Sequence, residues 1–426
     1  MHMKAIVLSI LLGLWGGEIA YAKEPKITDA DLKAARLDEN PVTLKKLLES
    51  ADDYSAEHLL SQAFFNSRTQ SGENRVFKLE QWIEDHPTAP LSMRIFAHQQ
   101  LGQSYFAQTK YAKAALALQT SIDLAPTEAT QEMRDATELA KIAASTPPIQ
   151  RVGEIGTVVT IRTDIANQKR TNIEIAGNDI PMIVDTGAEI SVIAESQALK
   201  AEMKFLDGSV SVGTVTEDVS GKLALASTIN IGTMRFKNVL FLVLPDKQLT
   251  FADGAYFVDG IIGLPVFTAA GRIGWRNSAQ ELLLGTQVTL QEEQTGNTLW
   301  HKGGMAIQVA YNDKAFPAFL DSGASKSSLT MLFMEHLNSS EHANLESFDR
   351  TITGVGGAIQ SQATRLPQLT LKVANKPVTF KDIVIANEKL DEAAADIAIL
   401  GSDMLMATQS FTIDFGSMTY QVTLEP

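Results

Sequence analysis

One short pattern occurs twice in this chain and restricts what it can fold into. Ile183-Val184-Asp185-Thr186-Gly187-Ala188 and Phe319-Leu320-Asp321-Ser322-Gly323-Ala324 each carry an aspartate from an apolar run into a tight hydroxyl–glycine turn, with a small side chain after it. A single Asp before such a turn is ordinary, because its carboxylate can cap the local backbone. Two of them, each at the end of an apolar strand, predict that two halves of the chain face each other. Both carboxylates would then share one site.

The likeness extends past the hexapeptides. Ile261-Ile262-Gly263 and Ile399-Leu400-Gly401 follow their aspartates at nearly equal distances. Each precedes a short expected helix, Pro265 to Ala270 and Asp403 to Ala407, and then a hairpin, Arg272 to Leu284 and Phe411 to Leu424. Alternating strands lead into each aspartate: Val158 to Arg162, Thr171 to Ile175 and Ile180 to Val184, then Met305 to Val309 and Ala315 to Leu320. Glycine-bearing hairpins lie between these landmarks, at Gly213 in the first half and at Gly354, Gly356 and Gly357 in the second. The polar stretch Gln287 to Thr298 reads as a connector. Landmarks repeated in one order imply a duplicated β-rich unit with approximate twofold symmetry, spanning 149–290 and 291–426.

The two units resemble retropepsin-like aspartic peptidases, and their pairing in one chain resembles the bilobal pepsin arrangement. The family motif is two hydrophobics followed by Asp-Thr/Ser-Gly-Ala, with two hydrophobics and Gly further on. Both halves carry it, over roughly residues 156–426. Ala188 and Ala324 favour the retroviral type, since pepsins usually place Ser or Thr there. The resemblance implies that Asp185 and Asp321 are catalytic and that Thr186 and Ser322 bond across the axis. It implies that Gly187 and Gly323 let the backbone approach the carboxylates. Ile261, Ile262 and Gly263, with Ile399, Leu400 and Gly401, would pack behind the loops. Gly213, Gly354, Gly356 and Gly357 would lie in flaps over an extended substrate. Glu189 stands where retroviral enzymes place an Asp that helps hold substrate, and Ser325 takes that place in the second half. Tyr256 and Trp275 read as core aromatics.

Chemistry explains why such a site needs two acids. Carboxylates a few ångströms apart cannot both ionise cheaply, so one proton is shared and one pKa rises. The charged member can take a proton from a water attacking a peptide carbonyl, while the protonated member donates toward the carbonyl oxygen. Alanine after the glycine offers no hydroxyl to stabilise an ionised carboxylate. The expected pH optimum is therefore less acidic than pepsin's.

Before residue 149 the texture is helical from Thr28 to Ser145, with apolar residues at helical spacing such as Leu32, Leu37, Leu44, Leu47, Leu48, Leu59, Leu60, Ala63 and Phe64. Thr28-Asp29-Ala30-Asp31 predicts a capping box with Asp in place of Glu. Leu101, Gly102, Tyr105, Ala114, Leu118 and Pro126 fall at the spacing of a tetratricopeptide repeat, and Trp82 to Pro87 resembles the end of a degenerate one. Residues 23–148 thus resemble a short tetratricopeptide-like array, either a docking surface for a protein or a packing module. Thr146-Pro147-Pro148 marks the linker. The expected architecture is multidomain: an all-α tetratricopeptide-like array followed by two mainly-β retropepsin-like lobes.

At the start, Lys4, the apolar run Ala5 to Trp15 and the small-x-small Ala20-Tyr21-Ala22 read as a signal peptide over residues 1–22, cleaved before Lys23. An uncleaved anchor is the alternative reading. The expected destination is the bacterial periplasm or outside the cell. In 426 residues there is no cysteine, and the seven histidines show no metal-site spacing, so no disulfide, metal or organic cofactor is expected. A net charge of −14 argues against nucleic acid as a partner. The expected partner is a peptide or protein substrate, with a possible second protein on the helices, and catalysis should not require a dimer. A catalytically inactive peptide-binding scaffold is the competing functional reading.

Overall fold

A computed structural model describes residues 27–37, 41–51, 54–212, 219–290, 296–301, 303–354, 357–386 and 397–424. The expected signal segment lies outside the described residues, as does part of the connector. Among the described residues no helix is long and apolar enough to cross a membrane.

The N-terminal third is helical: α1 (Asp29–Leu37), α2 (Pro41–Ser50), α3 (Ala56–Thr69), α4 (Asn74–Asp85), α5 (Leu91–Ala107), α6 (Tyr111–Leu124) and α7 (Gln131–Ala143). The expected Thr–Asp cap opens α1. Asp31 accepts the Thr28 backbone N–H at 2.9 Å, and Thr28 Oγ1 accepts that of Asp31 at 3.3 Å. Leu32 and Leu44 are buried as their spacing predicts, whereas Leu37 is exposed because it is rotated off the Leu32 face of α1. A buried Arg36–Glu57 pair, bonded at 2.8 and 3.1 Å, joins α1 to α3. Helices α5 and α6 meet at Gly102, where a Cβ would stand 2.6 Å from Leu118 Cγ. Only glycine lets these axes approach so closely. Pro126 lies just past the end of α6, beyond which its ring cannot continue a helix.

From Gln150 the chain is mainly β. The strand Asn178–Val184 runs into Asp185 and pairs in parallel with Gly260–Ile262, Ile261 beside Ile183. Gly260–Ile262 pairs antiparallel on its other side with Ser191–Ala194, which lies parallel to Met234–Leu244. The same order recurs later. Lys314–Leu320 runs into Asp321 and pairs in parallel with Ala398–Leu400. That strand pairs antiparallel with Ser328–Leu329, itself parallel to Lys376–Ala386. Around the first aspartate these strands carry continuous buried runs, Met182 to Val184, Ser191 to Ala194 and Gly260 to Ile262, as strands covered on both faces do.

The hairpins that follow the two short helices do not stand apart. Arg272–Arg276 pairs with Ser410–Asp414, and together with Gly156–Thr160, Glu281–Gly285 and Thr419–Thr423 they form one five-stranded sheet drawn from both halves. One apolar core runs from Ile161 to Val422 across this join.

The helices rest on both β halves. Tyr111, Leu139 and Ala143 are buried with Val210, Val219, Ile183 and Ile190 of the first half. On the second half, Trp300 Nε1 donates to the Gln70 carbonyl at 2.9 Å, and the Arg75 guanidinium lies 4.3 Å from the Trp300 ring centroid. Phe415 stacks nearby on that ring, and Ser71 Oγ donates to the Gly416 carbonyl at 3.0 Å. Trp300→Ala should cost about 3–5 kcal/mol, because it opens a cavity and leaves the Arg75 face uncovered. Denaturant unfolding followed by circular dichroism will measure it, with the midpoint moving down.

Candidate active site

The two aspartates end strands whose neighbours hold their backbones in the same way. Asp185 N–H donates to the Ile262 carbonyl and Asp321 N–H to the Leu400 carbonyl, each at 3.0 Å. Behind the turns, Leu264 N–H reaches the Ala188 carbonyl at 2.9 Å and Ser402 N–H the Ala324 carbonyl at 2.7 Å. The segments Ile261-Ile262-Gly263 and Ile399-Leu400-Gly401 therefore lie directly behind the two loops.

Across the junction the hydroxyls bond reciprocally. Thr186 N–H donates to Ser322 Oγ at 2.9 Å, and Ser322 N–H to Thr186 Oγ1 at 3.0 Å. Each hydroxyl then donates onward, Thr186 to the Leu320 carbonyl at 3.0 Å and Ser322 to the Val184 carbonyl at 2.8 Å. Both side chains are fully enclosed, so water cannot replace these bonds. Four satisfied bonds between segments far apart in sequence fix the two loops to one another.

That lock brings the carboxyls into hydrogen-bond contact with each other. Gly187 N–H donates to Asp185 Oδ1 at 2.7 Å, and Ala324 N–H to Asp321 Oδ1 at 3.0 Å. Gly187 also lies against the opposite acid: a Cβ there would stand 2.9 Å from the Asp321 carboxyl carbon. At Gly323 a Cβ would meet the Asp185 carboxylate closer still. A side chain at either position would push the loops apart.

Burial raises the Asp185 pKa first, and the Asp321 charge raises it further, against the pull of the Gly187 and Gly323 N–H groups. Burial raises Asp321 too, but the Ala324 N–H, the hydrogen bond from Asp185 and the Gly323 N–H oppose it. Burial and the charge of the neighbouring acid thus favour one proton shared by the pair. Among the described residues no three His, Asp or Glu side chains are grouped to hold a metal.

Other expected site residues fall in several places. Gly354 and Gly357 face each other across the end of the hairpin Glu346–Gly354/Gly357–Val373, while Gly356 lies outside the described residues. In the first half Val210–Val212 pairs with the start of Val219–Ile231, and Gly213 lies outside the described residues. Glu189 is exposed beside Gly303 of the second half and within reach of the Arg75 charge of α4. Desolvation by the protein around it, with the Glu132 charge, raises its carboxyl pKa against the pull of Arg75. Ser325 offers its carbonyl to Ser402 Oγ at 3.4 Å. Trp275 is core as expected, and Tyr256 packs half-buried against the core of the first half while its phenol donates to Asp164 Oδ2 at 2.7 Å.

Sequence reading missed two supports. Ser191 Oγ accepts the Gly263 N–H at 3.0 Å, and Ser327 Oγ accepts the Gly401 N–H at 2.9 Å. Their signal was present, since each serine stands at the same offset from its aspartate.

Residues 171–266 match the aspartyl protease family. The match takes in the Asp185 loop and Ile261-Ile262-Gly263, and it supports a peptidase. No curated protein matches the chain.

Two measurements test this geometry without a substrate. A native pKa above the unfolded one means that the native state keeps the proton longer, so stability falls as pH rises above about 4. Asp185→Asn should therefore melt at a higher temperature than the natural protein at neutral pH, and the gap should close below about pH 4. Ser322→Ala strands a buried N–H partner and should lose about 1–3 kcal/mol in denaturant unfolding.

Proposed function

We propose that this protein is an exported, single-chain aspartic endopeptidase in which Asp185 and Asp321 activate one water. The observation that carries the reading is the reciprocal Thr186–Ser322 bonding, which holds two carboxyls in contact inside a site that favours one shared proton. In the reaction, the ionised acid of the pair accepts a proton from the water as it attacks the scissile carbonyl. The protonated acid donates to the carbonyl oxygen as charge develops there, and a proton later passes to the leaving nitrogen. Thr186, Gly187 and Ala188, with Ser322, Gly323 and Ala324, hold the acids in place.

The two β units, 149–290 and 291–426, are duplicated lobes of retropepsin type. Support comes from the common strand order around each aspartate and the matching backbone bonds behind each loop. Because one chain supplies both acids, no dimer is needed. The glycine-bearing hairpins serve as flaps over an extended peptide. Residues 23–148 form a tetratricopeptide-like array, a reading that the close Gly102–Leu118 approach supports. Its contacts with both halves favour a fixed module beside the cleft that recruits a protein or shields the site. The charged and apolar pattern of residues 1–22 supports export to the periplasm.

Digestion of a peptide library by the mature protein tests the reading. Cleavage should fall by about a thousandfold in both Asp185→Asn and Asp321→Asn. Cleavage that survives either change rejects the shared mechanism, and none by any form at any pH favours the peptide-binding scaffold. The raised pKa of Asp185 keeps the pair singly protonated toward neutrality. Its pH–rate profile should thus peak in the mildly acidic to neutral range and fall on the alkaline side as the last proton leaves; a maximum in pepsin's strongly acidic range contradicts it.

A further inference from the structure

Gln168 closes the turn between the strands Arg162–Thr163 and Lys169–Ile175, and its backbone is fixed within the first half. Asp164 Oδ1 accepts the Ala166 and Gln168 N–H groups, each at 2.9 Å. Asp164 Oδ2 takes the Tyr256 phenol at 2.7 Å and Arg170 Nε at 2.6 Å. Arg170 in turn donates to the Phe257 carbonyl at 3.0 Å and lies 3.4 Å from Asp259. The turn is therefore braced from several elements of its own half.

The Gln168 side chain leaves that half. Its Nε2 donates to the Gly323 carbonyl at 2.8 Å, in the second aspartate's loop. Its Oε1 is buried without a partner, so the amide is held there for the one bond it donates. Gly323 has no side chain to pack, and its position depends on what its backbone bonds. On one side of its Cα, its N–H supports both carboxyls. On the other, its carbonyl is held by Gln168.

Resting on the peptidase reading above, we propose that Gln168 is a positioning residue that sets Gly323 against the two acids from the opposite half of the molecule. Release of the carbonyl would let Gly323 turn away from Asp185. The acids would lose N–H support, and their ionised form would become harder to reach. This role differs from ordinary packing between halves, which would affect stability alone.

Steady-state kinetics across pH, with thermal melts, compare the natural protein with Gln168→Met and Gln168→Glu. Gln168→Met keeps the length and loses the donor. Its kcat should fall about tenfold, the size expected for one hydrogen bond of about 1.4 kcal/mol, with KM little changed and the acid limb of the profile moved to higher pH. Gln168→Glu should match it near neutrality and recover relative to it at low pH, where a protonated carboxyl donates again. A lower melting temperature with unchanged kcat and profile overturns the proposal, as does a Glu variant that follows the Met variant at every pH. An inactive natural protein rejects the peptidase reading and this inference with it. Active natural protein with unaffected variants rejects the inference alone.

Discussion

Two acids in hydrogen-bond contact inside a protein repel unless one keeps a proton, and burial makes separation attractive. The geometry around Asp185 and Asp321 therefore depends on something that prevents them from moving apart. The reciprocal bonding of Thr186 and Ser322 supplies it. Each hydroxyl accepts from the other loop's backbone and donates to the strand behind that loop, so neither loop can shift without stranding buried polar groups. The parallel pairings of Ile261 and Ile399 carry that constraint back into the sheets.

The rest of the molecule keeps the two halves from separating. A five-stranded sheet interleaves strands from both, and one apolar core spans the join. The helical region adds a second tie. Its α6 and α7 are buried against the first half, while Gln70, Arg75 and their neighbours enclose Trp300 of the second. These helices are therefore part of the frame in which the acids are held, rather than a tethered appendage. The Arg75 charge also acts on Glu189, next to the first loop.

Much of this was legible in the chain because it is local. Apolar alternation marked the strands entering Asp185 and Asp321, and the hydroxyl–glycine turns marked where they stop. Gly102 foretold the close approach of α5 and α6, and Thr28 with Asp31 foretold the opening cap. The exposure of Leu37 could not be read locally, because helical spacing leaves the exact face to the partners that the helix meets. Tyr256 packs against the core as its place on a strand predicts, and only the structure shows Asp164 accepting from its hydroxyl. Ser191 and Ser327 were concealed by the commonness of serine, although their matched offsets were visible.

By itself the sequence determined a helical region followed by mainly-β structure in which two apolar strands each run into an aspartate. Those features rest on side-chain periodicity and turn chemistry, which act over a few residues. Only the tertiary structure decided that Thr186 meets Ser322, that Gln168 reaches Gly323 and that the helices seat on Trp300. Such contacts join segments whose approach is set by packing of the whole core, and no local pattern encodes the distance between them.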